Sequence, residues 1–488
     1  MVINVTIEIK KEVNNMSILG NEKNYLKYFE EITKIPHGSY NEKALSEYLI
    51  DFAKAHNLQY KTDDVYNVII YKPASKGYED HETIALQSHI DMVDEKNSDS
   101  MHDFSKDPLD IYVEDGFIKA KGTTLGADDG AGVAMILSVL DDDTLNHPAI
   151  EAIFTTQEET TMEGAFKLKY EDIRARRMIN LDGEEEGISS TTSAGGIDVI
   201  MTKKLQYETN SDKAYKLHIF GLNGGHSGVE INKERGNALK LISRIAKKLD
   251  EITLVDINGG LKINAIPREA YIIFTTTLSD DELRARLEEV VKNIRIELEH
   301  TDGRLEYQLD EVEVKEKIVK NESDAIIDLI YLMPTGLRHK SDLLNGLTTA
   351  SENIGIVSVD NHIFKLEISM RGALESYIRD MANELFTLGK VMGFETRDDN
   401  WYPAWDYMEH SHVRDMMCEA YKEATGKDMV LEGIHAGLEC GIFKNKFPEM
   451  DIVAIGPNIL DCHSPSERIE IASFDRSYEF LKVLLSKL

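Results

Sequence analysis

The sequence predicts an α/β fold in which a mostly parallel-sheet domain is interrupted by an inserted α+β domain. Three observations predict it. Short apolar, β-branched runs alternate with amphipathic helical stretches from about residue 20 to 190, the pattern of strand–helix–strand units. The texture then changes to paired strands with longer helices, and the first pattern returns from about residue 396. Histidines and carboxylates stand just after the apolar runs, where open α/β sheets present ligands.

The elements follow in order. Asn21–Ile35 reads as an amphipathic helix with Tyr25, Tyr28, Phe29, Ile32 and Ile35 on one face. Asn41–His56 is a second, with Leu45, Tyr48, Leu49 and Phe52. Leu58–Lys61 and Asn67–Lys72 read as strands, and Ile84–Ser88 as a buried strand that delivers His89 and Asp91. Leu109–Lys119 reads as a hairpin turning at Asp115-Gly116. Gly130–Leu140 is a helix of small residues opening at Asp128-Asp129. Ala149–Thr156 is a strand ending at Glu158-Glu159, Gly164–Lys169 a short helix, and Arg177–Leu181 a strand ending at Asp182. In the middle of the chain, Ala214–Leu222, Gly260–Pro267, Ala270–Leu278 and Leu305–Val314 read as strands around helices Asn237–Leu249 and Asp280–His300. The order helix, strand, strand, helix recurs as Glu322–Leu332, Gly355–Val359, His362–Met370 and Leu374–Val391. Helix Ser411–Thr425, strand Asp451–Gly456 and helix Ser473–Leu485 resume the first texture. The domains expected are 1–195, 196–398 and 399–488, the outer two forming one domain.

Composition narrows the function. A chain of 488 residues has room for more than one core, and 29% charged with 42% hydrophobic residues is a soluble globular balance. A formal net charge of -32 argues against nucleic acid or an anionic membrane as partner. Three cysteines, Cys418, Cys440 and Cys462, make no disulfide framework and fit a reducing compartment. No run approaches the roughly 18 apolar residues of a membrane span, Met1–Asn15 lacks a signal-peptide core, and the first 20 residues read as an extension.

Glu158-Glu159 is the point around which the chemistry gathers. Adjacent carboxylates at the end of a buried strand cannot both face the core, and burying one ionised without a partner is costly, so the pair calls for a cation. In His89-x-Asp91, residues two apart in an extended segment point the same way. The imidazole can then bind a metal through one nitrogen while Asp91 accepts the hydrogen of the other. Asp128-Asp129 sits at a helix N-terminus, where Asp also serves as a cap. Asp182 ends a strand before a glycine, and His463 lies in a polar loop. Taken together these residues suit two divalent cations, and the imidazole–carboxylate mixture favours zinc, manganese or cobalt over calcium. Such a pair takes a bridging carboxylate and activates a water, and a carboxylate beside it that binds neither ion can accept the water's proton.

Nine motifs stand in order: L-Q-S-H-I-D-M-V, G-A-D-D-G-A-G, Q-E-E-T, N-L-D-G, G-G-H-S-G-V-E-I, N-A-I-P-R-E-A, Y-P-A-W, H-A-G-L-E-C-G and H-S-P-S-E-R. In these the chain resembles the aminoacyl-histidine dipeptidase (Xaa-His dipeptidase) family of co-catalytic zinc metallopeptidases, from about residue 20 to the C-terminus. The resemblance implies a mostly parallel-sheet catalytic domain interrupted by an α+β lid. It implies two divalent metal ions, zinc first, with manganese or cobalt as alternatives. His89 and Asp182 would hold one ion, Glu159 and His463 the other, and Asp128 both, with a cis peptide before Asp129. Asp91 would orient His89, and Glu158 would be the general base. His226 would polarise the scissile carbonyl, with Asn264 assisting. Arg371 would bind the substrate carboxylate, and His435 and Glu439 would line the pocket. The implied function is a cytoplasmic dipeptidase acting on Xaa-His and related dipeptides of the β-alanyl-histidine type. A related tripeptidase, carboxypeptidase or N-acyl amino acid deacylase shares the ligand set. The expected partner is a short peptide, with no nucleic acid and no membrane; a homodimer stays open. Asp129 stands where many relatives carry Asn, and Gly372 where they often carry Ser. In relatives with a single-unit lid the histidine matching His226 reaches the other subunit's site. Residues 196–398 are long for one such unit, so His226 is expected to act within its own chain.

Overall fold

The computed structural model describes residues 17–20, 22–342 and 346–488; of the expected 20-residue extension, residues 1–16 lie outside them. The chain divides into two compact units. The first comprises the described residues up to Thr192 with Tyr407–Glu432 and Ile442–Leu488, and the second Ser193–Asp406 with Gly433–Gly441. The second unit thus takes three stretches that the sequence reading assigns to the first, residues 193–195, 399–406 and 433–441. Backbone hydrogen bonds are the reason. Glu395–Tyr402 pairs antiparallel with Gly195–Lys204, and the Ala194 N–H donates to the carbonyls of Ile434 and Ala436.

The first unit is built on an eight-stranded sheet in the order Gln59–Thr62, Val68–Lys72, Ile150–Thr155, Ile84–His89, Arg177–Asn180, Asp451–Ala454, Ile188–Ser193, Val430–Ile434. Its four central strands, from Ile150–Thr155 to Asp451–Ala454, are parallel. Their neighbours are antiparallel, so the parallel character is confined to the middle. That is where the apolar runs are unbroken: Ile84–His89, Ile150–Thr155 and Asp451–Ala454 are buried along their whole length, as strands covered on both faces must be. Against the sheet lies the helix Ala127–Asp141, buried at every residue from Ala127 to Leu140. A helix apolar on all sides has no solvent face to expose. Its last carbonyls need donors, and the buried Lys72 ammonium supplies them, donating to Val139 and Leu140 at 3.0 Å and to Asp142 at 2.9 Å.

The second unit is organised by a nine-stranded antiparallel sheet made of two similar halves. In the first half the order along the chain is strand Lys213–Phe220, helix Ala238–Leu249, strands Ile252–Gly259 and Ala270–Thr276, helix Asp280–Glu297 and strand Glu306–Val312. In the second it is Gly195–Lys204, helix Lys320–Leu332, strands Leu347–Asp360 and Ile363–Gly372, helix Glu375–Met392 and strand Glu395–Tyr402. The first half is inserted between the first strand and the first helix of the second. Across the sheet the first half's strands run fourth, first, third, second, and the second half's run second, third, first, fourth. The order is a palindrome whose centre is the contact of Gly259 with Val357. One extra strand, Gly336–Ser341, pairs with Leu347–Asp360.

Here the expected strand Gly260–Pro267 is corrected. The long strand is Ile252–Gly259, and only Ala265–Ile266 of the expected segment is extended and paired. The chain leaves the sheet at Gly260, whose φ of +80° and whose lack of a Cβ (one would lie 1.8 Å from the Gly355 carbonyl oxygen) no other residue would satisfy. Among the described residues no helix is long and apolar enough to cross a membrane.

Candidate metal centre

The centre lies at the carboxyl ends of the parallel strands of the first unit. Ile84–His89 ends on His89, itself 1% exposed. The next strand over, Ile150–Thr155, runs into a turn at Gln157, φ +57°, that presents Glu158 and Glu159. Arg177–Asn180 leads to Asp182. His463 follows the short strand Ile459–Leu460, at φ +60°.

The pair Asp128-Asp129 divides its tasks. The peptide between them is cis, and neither residue has helical backbone angles. Asp129 turns inward and accepts the Gly132 N–H at 3.1 Å, doing the work of a helix cap. A Cβ on Gly132 would sit 2.4 Å from that carboxylate. Asp128 is left to face the imidazoles. Its Oδ1 lies 3.1 Å from His89 Nε2, and its Oδ2 lies 3.2 Å from His463 Nε2. His89 Nε2 is also 3.5 Å from Asp182 Oδ1, and His463 Nε2 is 3.0 Å from Glu159 Oε2.

Two groups thus share one carboxylate through its opposite oxygens: His89, Asp128 and Asp182, and Asp128, Glu159 and His463. Within each, the ligand atoms lie within 4.8 Å of one another, a separation that a cation can close at the roughly 2 Å of Zn–N and Zn–O bonds. The electrostatics call for positive charge. Burial, with Asp128 nearby, raises the Glu159 carboxyl, and burial likewise lifts Asp182 well above the usual carboxylate range. Asp128 goes the other way: burial opposes its ionisation, but hydrogen bonds from His463 and His89 hold it far below the usual range. Hydrogen bonds donated to Asp128 and Glu159 push His463 up to about 11. Glu159 Oε1 is buried with no hydrogen-bond partner. A buried carboxylate oxygen in that position fits a metal ligand, and the donor set of imidazole and carboxylate fits the zinc-like metals.

Asp91 meets His89 through both its main chain and its side chain. The nearest acceptor to His89 Nδ1 is the backbone carbonyl of Asp91, at 3.0 Å; the Asp91 carboxylate is 3.5 Å away. That carboxylate also accepts the N–H groups of Glu158 at 3.0 Å and Glu159 at 3.3 Å, and the Ser39 hydroxyl at 2.8 Å. It therefore anchors the turn carrying both glutamates while its main chain fixes the His89 tautomer.

Sequence reasoning missed three neighbours. Cys462 donates its thiol to Glu184 at 3.3 Å, and these two with Asp128 form a third group able to hold a metal. Glu467, in H-S-P-S-E-R, accepts backbone N–H groups from Leu125 to Asp128. Cys462 was visible beside His463; nothing local to Glu467 announced its partners.

The remaining expected residues fall in the second unit. Gly225–His226 pairs with Ala265–Ile266, and the Ser227 N–H donates to the Asn264 carbonyl at 2.9 Å, so His226 and Asn264 are neighbours lining a cavity of about 640 Å³. His226 Nδ1 accepts the N–H groups of Gly228 and Val229 at 3.2 and 3.3 Å, which puts the proton of a neutral ring on Nε2. Arg371, 9% exposed, donates from Nη1 to the Tyr402 hydroxyl at 2.7 Å. His435 lies 2.7 Å through Nε2 from the Ser351 hydroxyl, and its Nδ1 is buried without a partner. Burial first, then the charges of Arg371 and His226, depress the His435 imidazole to about 3, so it stays neutral. Glu439 is buried at the start of helix Glu439–Lys446.

Residues 85–487 match the model of peptidase family M20/M25/M40, and the chain belongs to that family of peptide hydrolases. Its full-length relatives make the likeness specific. The cytosol non-specific dipeptidase of Escherichia coli K12 is 38% identical over 471 residues, covering 94% of this chain and 96% of that one. The crystal structure of aminoacylhistidine dipeptidase from Vibrio alginolyticus has a TM-score of 0.86 and 32% identity, over 96% of this chain and 98% of that one. The aminopeptidase PepT of Bacillus cereus ATCC 10987, with a TM-score of 0.56 and 15% identity over 96% and 99% of the two chains, shares the fold.

Proposed function

We propose that the protein is a dinuclear metal-dependent dipeptidase hydrolysing Xaa-His and related dipeptides. The observation that carries this reading is Asp128, whose two oxygens face two imidazole–carboxylate groups. The substrate class rests on the relatives: one is named a non-specific dipeptidase and the other an aminoacylhistidine dipeptidase, and Xaa-His dipeptides fall within both descriptions. The E. coli relative's name and three free cysteines support a cytoplasmic setting.

His89 and Asp182 would hold one ion, Glu159 and His463 the second, and Asp128 both, with zinc favoured and manganese or cobalt able to replace it. Bound there, the ions would supply a lowered pKa for the attacking water and polarisation of the scissile carbonyl. Glu158 accepts the water's proton and returns it to the leaving amine. Asp91, by holding the N–H groups of Glu158 and Glu159, keeps the base in register with the ligand beside it. His226, protonated on Nε2, donates to the developing oxyanion, with Asn264 next to it. Arg371 receives the substrate carboxylate, and the neutral His435 and Glu439 line the pocket. His226 acts in its own chain: both halves of the inserted sheet come from one polypeptide, and the reading needs no second chain.

The test is Glu158→Gln. It is expected to keep its metal and lose roughly 10²- to 10⁴-fold in turnover, the size of a positioned acid–base group. The wild-type assay uses a panel of dipeptides, tripeptides and N-acyl amino acids. Halved metal content in Glu158→Gln with full content in Glu159→Gln would reverse the two roles, and preferential tripeptide or N-acyl hydrolysis would move the activity within the family.

A further inference from the structure

Four consecutive backbone N–H groups precede and open the buried helix, and one carboxylate takes all of them. Glu467 Oε2 accepts Leu125 at 2.7 Å and Gly126 at 3.1 Å; Oε1 accepts Ala127 at 2.7 Å and Asp128 at 3.3 Å. The side chain is 3% exposed. Helix N-termini leave their first N–H groups without intrahelical partners, and a carboxylate is the favoured partner for them. Here it comes from 339 residues away in sequence, beyond Asp128.

The loop that carries Glu467 is closed on itself. The Glu467 N–H donates to the Ser464 carbonyl at 3.0 Å, the Ser466 N–H to the Ser464 hydroxyl at 3.2 Å, and that hydroxyl to the Asp461 carbonyl at 2.7 Å. Arg468 pairs with Asp461 across it, and the strand Arg468–Glu470 fastens its end to Phe117–Ala120. His463 sits inside this loop. A displacement of Glu467 therefore displaces His463, and Glu467 is bonded to the backbone of Asp128.

We infer that Glu467 is a positioning residue that sets the distance between the Asp128 carboxylate and the His463 imidazole, and so builds the site of the ion held by Glu159 and His463. The inference rests on the proposed dinuclear reading. The geometry explains why a glutamate is required. Glutamine would turn an NH₂ group toward two of the four N–H donors, and aspartate falls one methylene short of them.

Apo full-length protein is titrated with Co²⁺, followed by visible absorption and by calorimetry, for wild type, Glu467→Gln, Glu467→Asp and His463→Ala. Wild type is expected to bind two ions. In Glu467→Gln one of the two binding steps should weaken by roughly 10- to 100-fold, the usual effect of a residue supporting a ligand, and the titration should take the shape of His463→Ala. Glu467→Asp should recover part of the affinity, and it carries the same readout if the glutamine variant does not fold. Both steps unchanged from wild type, or both weakened together, would overturn the inference whatever the melting temperature does. A wild type that binds no ion would instead overturn the dinuclear reading on which it rests.

Discussion

Lowering the pH should loosen the second unit through one residue, His435. The imidazole is 5% exposed, and burial with the Arg371 charge holds it near 3 instead of 6.5. In the unfolded chain it takes a proton below about 6.5, and in the fold only below about 3. Between those values the unfolded state binds more protons, so stability is lost as the pH falls. Each pH unit in that window is worth about 1.4 kcal/mol, and moving from pH 7 to pH 5 should remove about 2 kcal/mol from this source alone. The assay is urea unfolding at pH 7, 6 and 5 for wild type and His435→Gln, followed by tryptophan fluorescence. The chain has two tryptophans, Trp401 and Trp405, and both lie in the second unit, so the signal reports on the unit that contains His435. Glutamine does not titrate, so the stability gap between the proteins should change by about 2 kcal/mol across the range. Parallel pH dependences would refute a neutral buried imidazole.

Asp128→Ala should lose both ions, because it alone faces both groups; two full metal equivalents by elemental analysis would remove the bridge from the proposal. Gly196→Ala puts a Cβ 2.4 Å from the Tyr402 ring, which should shift the hydroxyl that Arg371 holds. KM for dipeptides with a free carboxylate should rise roughly tenfold, the scale of one hydrogen bond to a charged group, while C-terminally amidated peptides stay unaffected; an unchanged KM would separate Tyr402 from substrate binding. Mixing inactive His226→Ala and Glu158→Gln under subunit-exchange conditions should restore no activity, since neither chain then holds both residues. Recovered activity would show His226 acting across chains.

Much of the site was legible because its ligands are tied to local signals. His89, Glu158-Glu159 and Asp182 each follow an apolar run, and the sheet then had only to bring parallel strand ends together. Asp91 was legible as a partner of His89, but its carboxylate serves a turn at Glu158, across a strand boundary that no spacing encodes. Glu467 and Lys72 were illegible for the same reason: each satisfies backbone groups far away in sequence, and their composition is that of ordinary surface residues. The strand Glu395–Tyr402 escaped detection because its residues, E-T-R-D-D-N-W-Y, are mostly exposed and it is held through its backbone at a sheet edge. The recurrence of helix, strand, strand, helix was legible, but not that the two runs would meet at Gly259 and Val357.

That meeting has a consequence for how the protein can change. In a symmetric homodimer every substitution is made twice, once in each copy, and any loop that serves a site on one side is repeated on the other. The palindromic sheet keeps the frame of such a pair within one polypeptide and removes the repetition. In the first half, the connection between Ile252–Gly259 and Ala270–Thr276 is long and carries Asn264. In the second half, the matching connection between Leu347–Asp360 and Ile363–Gly372 is a tight turn of Asn361 and His362, both at positive φ. The matching strand Leu347–Asp360 supplies Asn353, whose side chain donates to the carbonyls of Ile263 and Ala265 on either side of Asn264. One half carries the loop and the other braces it, a division of labour that two halves of one chain allow and two identical copies do not.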